Sequence, residues 1–159
     1  MSIFRGEWFT KIDPIITKWM SRNGILLVRI SIGIVFFWFG FLKFFPGLSP
    51  AQELAVETIS ILSFELIPDF VIINGLAFWE VIIGIGLMSG KFIRETLLLL
   101  FLQMAGTFAP VFLFPDEVFT HFPYAPTLEG QYIFKNLVLI AAGIVLGGKL
   151  HKNSVEDQK

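Results

Sequence analysis

The sequence predicts an all-α integral membrane protein: an antiparallel bundle of four transmembrane helices with short interfacial helices. Hydrophobic residues make up 55% of the 159 residues and charged residues only 16%, whereas a soluble domain typically carries about 25% charged residues. Nineteen residues are Phe, and a soluble domain of this size has too little interior to bury so much apolar surface. The same composition excludes a disordered chain and a coiled coil.

Four apolar runs carry the rest of this prediction. They cover residues 24–45, 70–90, 96–114 and 132–148. The fourth run is short and is expected to begin nearer residue 129. At 1.5 Å per residue the runs extend over roughly 25–33 Å, which matches a hydrocarbon core about 30 Å thick. Each run is therefore predicted to cross the membrane once.

Basic residues flank these spans unevenly. Nine of the 12 Lys and Arg residues lie before the first span, between the second and third, or after the fourth, and the loops over 46–69 and 115–131 hold none. Because cytoplasmic loops carry an excess of Lys and Arg, this asymmetry places both termini in the cytoplasm. Residues 1–23 are then an amphipathic cytoplasmic surface segment, 24–148 the four-helix transmembrane domain, and 149–159 a cytoplasmic polar tail.

The N-terminal segment is expected to be ordered. Residues 4–22 mix aromatic and aliphatic residues with basic ones, a pattern typical of a helix lying on a membrane surface. Asp13 followed by Pro14 is a plausible start for that helix, since Pro is favoured at the first helical position. A frayed terminus is the alternative.

The two outer loops also carry structural signals. The stretch from Ser49 to Gln52 resembles a capping box, which predicts a helix ending near Leu62. The loop over 115–131 places aromatic residues between prolines. It either folds over the bundle as a lid or anchors those aromatic residues at the membrane interface.

Ionisable residues inside the spans are the most informative feature for function. Each costs about 2.5–3.5 kcal/mol at the centre of a membrane helix, so each should face the bundle and find a partner. Depth along the spans predicts that Glu80 forms a buried ion pair with Arg29, with Gln103 satisfying a remaining hydrogen bond. The alternative to a functional pair is a structural one that fixes helix register.

Polar and small residues fall on one face of each helix. The first span carries such a face at steps of four, three, four and three: Arg29, Gly33, Phe36, Gly40 and Lys43. The third span carries another: Thr96, Gln103, Thr107 and Pro110. Another helix or a ligand approaches such a face closely.

A second polar cluster is expected toward the outer face. Lys43, Lys135 and Asn136 lie near the outer ends of their spans, although two lysines that merely snorkel to the interface are the alternative. Phe36 and Trp79 are the aromatic residues near enough to the polar faces to form the walls of a ligand site. These residues therefore join the candidate site.

Two Gly-x-x-x-Gly motifs lie in the second and fourth spans, at Gly86 to Gly90 and Gly143 to Gly147. Small residues at this spacing let helix backbones approach closely. The contact is either within the bundle or between protomers, so a homo-oligomer through the glycine faces is one expectation.

The sequence lacks the side chains that most metal and redox centres need. It contains no cysteine, so it offers no thiolate nucleophile and no cysteine-bound cluster. Its two histidines, His121 and His151, lie on opposite sides of the predicted membrane. No metal or haem is expected, and a net charge of −1 favours no nucleic-acid partner.

Three groups of residues in the spans occur together: Arg29-x-x-x-Gly33 with Gly40-x-x-Lys43, Glu80-x-x-x-Gly84-x-Gly86, and the stretch 130–136 with its Lys135-Asn136 pair. Together they resemble the DoxX-like membrane proteins of the DoxX/DoxD superfamily. The resemblance covers roughly residues 24–148. It implies a four-helix protein of the bacterial inner membrane.

The resemblance also implies a functional context. Some members of the family are similar to a subunit of thiosulfate:quinone oxidoreductase, and others associate with oxidoreductases that handle thiol or oxidative stress. Arg29, Lys43 and Glu80 are carried over as site candidates, and Lys135 and Asn136 with them. Because this chain has no cysteine, any thiol chemistry would reside in a partner.

The function predicted from these residues is a membrane subunit linked to quinone-dependent redox chemistry. A quinone needs an apolar slot, a donor to each carbonyl and a route for protons. Glu80 would relay protons as the catalytic residue. The predicted ligand-binding residues are Arg29, Lys43, Gln103, Lys135, Asn136, Phe36 and Trp79. The chain has no electron carrier of its own, so a soluble or membrane oxidoreductase partner would supply electrons, and the sequence leaves open whether the chain is itself an enzyme.

Two other functions stay open. One is a non-catalytic membrane scaffold or assembly partner of an oxidoreductase complex. The other is transport of a small solute or anion, because the spans hold three cations and one carboxylate. Four short spans without an apparent broken helix count against transport.

Overall fold

The computed structural model describes residues 7–49 and 52–156, with side chains described over 11–49 and 52–150. These residues are mostly helical, and four helical stretches among them are long and apolar enough to cross a membrane. The stretches are Lys11–Leu42, Asp69–Ser89, Ile93–Leu113 and Leu128–Leu150. The sequence prediction of four spans therefore agrees with the structure.

Nine elements follow one another along the described chain. They are α1 (Glu7–Leu42), α2 (Gln52–Leu62), α3 (Asp69–Ser89), α4 (Ile93–Thr107), α5 (Pro110–Leu113), α6 (Pro115–Val118), β1 (Phe119–His121), β2 (Ala125–Pro126) and α7 (Leu128–Glu156). The predicted end of α2 at Leu62 is confirmed, and so is the start of α7 near residue 129. β1 and β2 pair antiparallel, so a small β-hairpin interrupts the otherwise helical chain.

The first helix differs from the prediction. The expected surface helix over 4–22 is not separate, because α1 has begun by Glu7, contains Pro14 and runs without interruption to Leu42. Residues 4–6 of that segment lie outside the described residues. The 36 residues of α1 extend over about 54 Å, well beyond the roughly 30 Å of a hydrocarbon core. Hydropathy marks only the apolar part of such a helix.

The third span contains a break that the sequence did not suggest. α4 ends at Thr107, and α5 begins at Pro110. Proline has no backbone N–H and its ring collides with the preceding turn, so an α-helix rarely continues through it. The expectation of four unbroken spans is wrong at this point.

The spanning helices pack in sequence around a common apolar core. α1 contacts α3, α3 contacts α4, α4 contacts α7, and α7 contacts α1. The buried core draws side chains from all four helices: Ile32, Phe36, Ile83, Leu87, Leu97, Leu100, Met104 and Leu146. We call the end that holds the α3–α4 turn the basic end, and the opposite end, covered by α2 and residues 110–127, the capped end.

Glycines bring α1 and α3 into close contact. A Cβ added at Gly84 of α3 would lie 2.5 Å from the backbone nitrogen of Phe37. A Cβ at Gly40 of α1 would lie 2.6 Å from the Cβ of Glu80 and 2.9 Å from the backbone nitrogen of Val81. Such distances are shorter than any side chain tolerates, so only glycine permits this approach. The predicted small-residue face of α1 is therefore the face that contacts α3.

The loop over 115–131 packs over the capped end through its first part. Val118 and Phe119 are buried in a second core cluster with Leu54 of α2 and Ile133 of α7. Farther along, Phe122 and Tyr124 at the hairpin tip are 67% and 77% exposed. The base of the loop thus packs over the capped end, while its tip presents aromatic side chains outward.

Candidate functional site

Three side chains from three helical segments form a cluster that we call the polar centre: Lys43, Glu80 and Gln103. Lys43 Nζ donates to Glu80 Oε2 at 2.7 Å, and Gln103 Nε2 donates to Glu80 Oε1 at 2.7 Å. The side chains of Lys43 and Glu80 are each 11% exposed. The predicted hydrogen bond between Gln103 and Glu80 is confirmed.

Local structure explains how the three groups meet. Lys43 follows the last residue of α1, where its backbone nitrogen donates to Gly40 O at 3.2 Å in a tightened final turn. Gly40 has no Cβ, so α3 lies close enough for Lys43 to reach Glu80. Gln103 is ten residues into α4, which places it about 15 Å from the basic end. Glu80 lies nine residues before the end of α3, at nearly the same depth.

Hydrogen bonds at the polar centre pair both oxygens of Glu80 but leave another buried oxygen without a partner among the described residues. Each oxygen of the Glu80 carboxylate accepts a hydrogen bond, one of them from an ammonium group. A buried pair is stable only when its remaining hydrogen bonds are also made. However, Gln103 Oε1 is buried and has no hydrogen-bond partner among the described residues. Such an atom calls for an explanation, since buried polar groups in native proteins are nearly always paired.

The predicted ion pair between Arg29 and Glu80 does not form. The Arg29 guanidinium lies against Gly90, which is ten residues from Glu80 along α3, a distance of about 15 Å. The prediction counted depth from the start of the apolar run, whereas α1 continues far beyond that point. The glycine contacts set Gly40 beside Glu80, and this register carries Arg29 to the end of α3.

A double-mutant cycle tests this correction. The variants Lys43→Gln and Glu80→Gln should show a coupling energy of about 0.5–3 kcal/mol in unfolding experiments in detergent, because the two side chains are in contact. The variants Arg29→Gln and Glu80→Gln should be additive within about 0.5 kcal/mol. Coupling of Arg29 rather than Lys43 to Glu80 would contradict the register of α1 against α3.

A second polar contact lies one turn farther along α4. Asn136 Nδ2 donates to Thr107 Oγ1 at 3.2 Å, and Thr107 Oγ1 donates to Met104 O at 2.8 Å. Gln103 and Thr107 are four residues apart on α4, about 6 Å along its axis. Polar contacts therefore connect α1, α3, α4 and α7 in turn. Thr107 was absent from the predicted ligand-binding set, although its helical spacing from Gln103 marked it.

The expected outer cluster of Lys43, Lys135 and Asn136 does not form. Lys43 pairs with Glu80, and Asn136 bonds to α4. Lys135 is exposed, with its Nζ 5.3 Å from the centre of the Tyr132 ring. Neighbouring residues on a helix point about 100° apart, so Lys135 and Asn136 cannot both face the core.

The two predicted aromatic walls have different environments. Phe36 is 5% exposed and belongs to the apolar core, together with Ile83 and Met104, which are close in sequence to Glu80 and Gln103. Trp79 is 38% exposed, and its Nε1 donates to Leu99 O at 3.2 Å. Phe36 therefore lies in the apolar core, seven residues before Lys43 in the direction of the basic end, whereas the Trp79 indole connects α3 to α4.

The glycine motifs face neighbours within the same chain. A Cβ at Gly86 would collide with Thr96 Oγ1, and one at Gly143 would lie 3.1 Å from the Phe101 ring. Of the two predicted possibilities, the structure thus shows contacts within the protomer. Close packing accounts for glycine at Gly86 and Gly143, whereas a Cβ at Gly147 would make only an ordinary contact, 3.6 Å from Leu97 Cδ1.

An open cleft of about 570 Å³ lies at the capped end, away from the polar centre. α2 and the beginning of α3 line it, and its carboxylates are Glu53, Glu57, Glu65 and Asp69. In the described parts of the chain, no three His, Cys, Asp or Glu side chains converge as metal ligands. The acidic lining therefore does not form a metal site in this structure.

Comparison with protein-family models, with curated proteins and with solved structures found no match to this chain. The likeness to DoxX-like proteins rests on the motifs in the spans alone. Function must therefore be inferred from the polar centre and its surroundings.

Proposed function

We propose that this chain is a multi-pass membrane subunit linked to quinone-dependent redox chemistry, which binds a quinol at the polar centre. The observation that carries the proposal is Gln103 Oε1, a buried acceptor without a donor among the described residues. An unmade hydrogen bond of this kind costs about 1–3 kcal/mol. A ligand hydroxyl that donates to Gln103 Oε1 would recover that cost, and a quinol carries two hydroxyl groups.

The other groups of the polar centre suit the same ligand. The Lys43 ammonium has three donors, of which the structure assigns one to Glu80, so it can also donate to a quinone carbonyl. The Glu80 carboxylate would accept the proton that a bound quinol hydroxyl releases. The apolar core beside Phe36 would exclude water from the ring. A bound quinone or quinol would supply the redox chemistry: an oxidoreductase partner would take up the two electrons lost by a quinol or return two to a quinone, because the chain contains no cysteine for a cluster.

The proposed location is the bacterial inner membrane, with both termini in the cytoplasm and the four spans in an antiparallel bundle. Large apolar side chains on the outer surfaces of the spans support contact with lipid, such as Trp38, Phe78 and Val138, which are 63%, 62% and 70% exposed. The basic residues near one end support the orientation. The proposal needs no second copy of the chain.

Equilibrium binding of a short-chain quinol to the purified full-length protein in detergent tests the proposal. We expect saturable binding, which Gln103→Leu weakens by up to about ten-fold through loss of one hydrogen bond. Gln131→Leu is the matched control, since Gln131 is exposed on α7. Absence of binding to the wild type, or equal affinity of both variants, would overturn the proposal.

A scaffold that holds an oxidoreductase partner is the second candidate, because the polar centre already joins three helices without a ligand. This function predicts that Gln103→Leu and Lys43→Met change only the amount of folded protein. The amount of partner that co-purifies per folded protein distinguishes the two functions. For a scaffold, this ratio is the same in both variants as in the wild type, and the wild type binds no quinol.

A further inference from the structure

Arg29 is a charged residue of the first span. It lies on α1, 13 residues before the end of that helix, and its side chain is half-buried. Within residues 11–49 and 52–150, whose side chains the structure describes, no hydrogen bond or ion pair involves its guanidinium. The guanidinium lies against Gly90, at the end of the bundle, so it can reach an anion at the membrane interface.

The basic end gathers further cations around Arg29. Ile32, Leu97 and Leu146 belong to one buried core cluster that α1, α4 and α7 share with α3. A cation lies three residues from each of these core residues, in the direction of the basic end: Arg29 from Ile32, Arg94 from Leu97 and Lys149 from Leu146. Residues three apart on a helix lie on neighbouring positions of one face. Each of these three helices therefore carries a cation about one turn from its core residue, on the side of the basic end.

The turn between α3 and α4 adds to this positive charge. Gly90 carries a left-handed backbone, with φ of 74°, and the Arg29 guanidinium occupies the space where a Cβ would stand. Lys91 follows directly and is exposed. Glu95 is the acidic residue in the first turn of α4, so cations outnumber carboxylates among the described side chains of this end.

We propose that the basic end binds the phosphodiester headgroup of an anionic phospholipid, with Arg29 as its principal ligand. A guanidinium forms paired, charge-assisted hydrogen bonds with phosphate oxygens. The lipid is preferred to a free phosphate because Ile34 and Val35, which follow Arg29 on the same span in the direction of the polar centre, are 47% and 41% exposed. Acyl chains attached to the bound phosphate would cover these side chains.

This site is separate from the polar centre. Gly90, beside Arg29, lies ten residues from Glu80 on α3, about 15 Å away. Binding of lipid at the basic end thus goes beyond the proposed function and does not depend on a quinol. Loss of one site should leave the other intact.

Native mass spectrometry of the full-length protein, titrated with phosphatidylglycerol or phosphatidylcholine in detergent, tests the inference. We expect phosphatidylglycerol to be retained preferentially. Arg29→Gln should weaken its binding by about five-fold, the effect of one basic residue near an anionic lipid surface. Arg29→Lys should restore part of the affinity, because it keeps the charge but loses the paired geometry.

Lys11→Gln is the matched control, since it removes the same charge from an exposed position on α1, 18 residues or about 27 Å from Arg29. Its affinity for phosphatidylglycerol should equal that of the wild type. Melting temperatures without added lipid confirm that each variant is folded. Equal weakening by Arg29→Gln and Lys11→Gln, equal retention of the two lipids, or equally tight binding of glycerol phosphate would each overturn the proposal.

Discussion

Lys43→Met should destabilise the protein by about 3–5 kcal/mol, because it leaves the buried Glu80 carboxylate without its counter-charge. Unfolding of the purified protein in mixed detergent measures this loss. Adding Glu80→Gln to the Lys43→Met variant should recover most of the stability, since a neutral amide needs no counter-ion. The recovery is the informative part, because it separates an uncompensated charge from simple loss of packing.

Lys135→Met is the control for this experiment. Lys135 is an exposed lysine whose described contact is with the face of the Tyr132 ring, worth roughly 0.5–1 kcal/mol at an exposed site. Its replacement should therefore have a much smaller effect than Lys43→Met. Equal effects of the two substitutions would mean that Lys43 and Glu80 are not a buried pair.

Gly84→Ala should cost about 1–3 kcal/mol or more, because its methyl group would overlap the backbone of Phe37 and force α1 away from α3. The same displacement should separate Lys43 from Glu80. Gly75→Ala is an ideal comparison on the same helix, since nothing lies within 4 Å of a Cβ there. That substitution should be neutral or stabilising by up to about 1 kcal/mol, the helix preference of Ala over Gly.

Thermal unfolding in detergent measures both glycine variants. The pair of results distinguishes close helix contact from backbone flexibility, because both substitutions stiffen the unfolded chain equally. If Gly84→Ala were as stable as Gly75→Ala, the close approach of α1 and α3 would be wrong. The register that brings Lys43 to Glu80 would then lose its basis.

Sequence patterns predicted the parts of the structure that depend on local physics. Hydropathy located the spans because each apolar run must match the thickness of the bilayer. Helical spacing showed which face of α1 carries Gly33 and Gly40, and that face does contact α3. The bond between Gln103 and Glu80 followed from their similar depth in adjacent spans.

The sequence could not predict features that depend on the register between neighbouring helices. Arg29 and Lys43 lie on the same face, and only the register set by Gly40 and Gly84 shows that Lys43 reaches Glu80. Helices α1 and α4 also differ from their apolar runs. A segment of mixed polar and apolar residues extends α1 back to Glu7. The helix of the third span breaks between Thr107 and Pro110, before its apolar run ends.

Together these contacts describe a membrane protein with two chemically different sites. The polar centre offers a buried acceptor beside a paired carboxylate and ammonium. The basic end offers an arginine without a counter-ion in the described structure. The first suits a hydroxyl-bearing ligand, and the second suits a phosphate.

The most direct measurement is a high-resolution experimental structure of the protein prepared with a short-chain quinol. We expect density for the ring beside the polar centre, with one ligand oxygen about 2.5–3.0 Å from Gln103 Oε1, the usual range for a hydroxyl donor. A structure in which a protein group or a lone water bonds to Gln103 Oε1, with the quinol absent from the polar centre, would contradict the proposal.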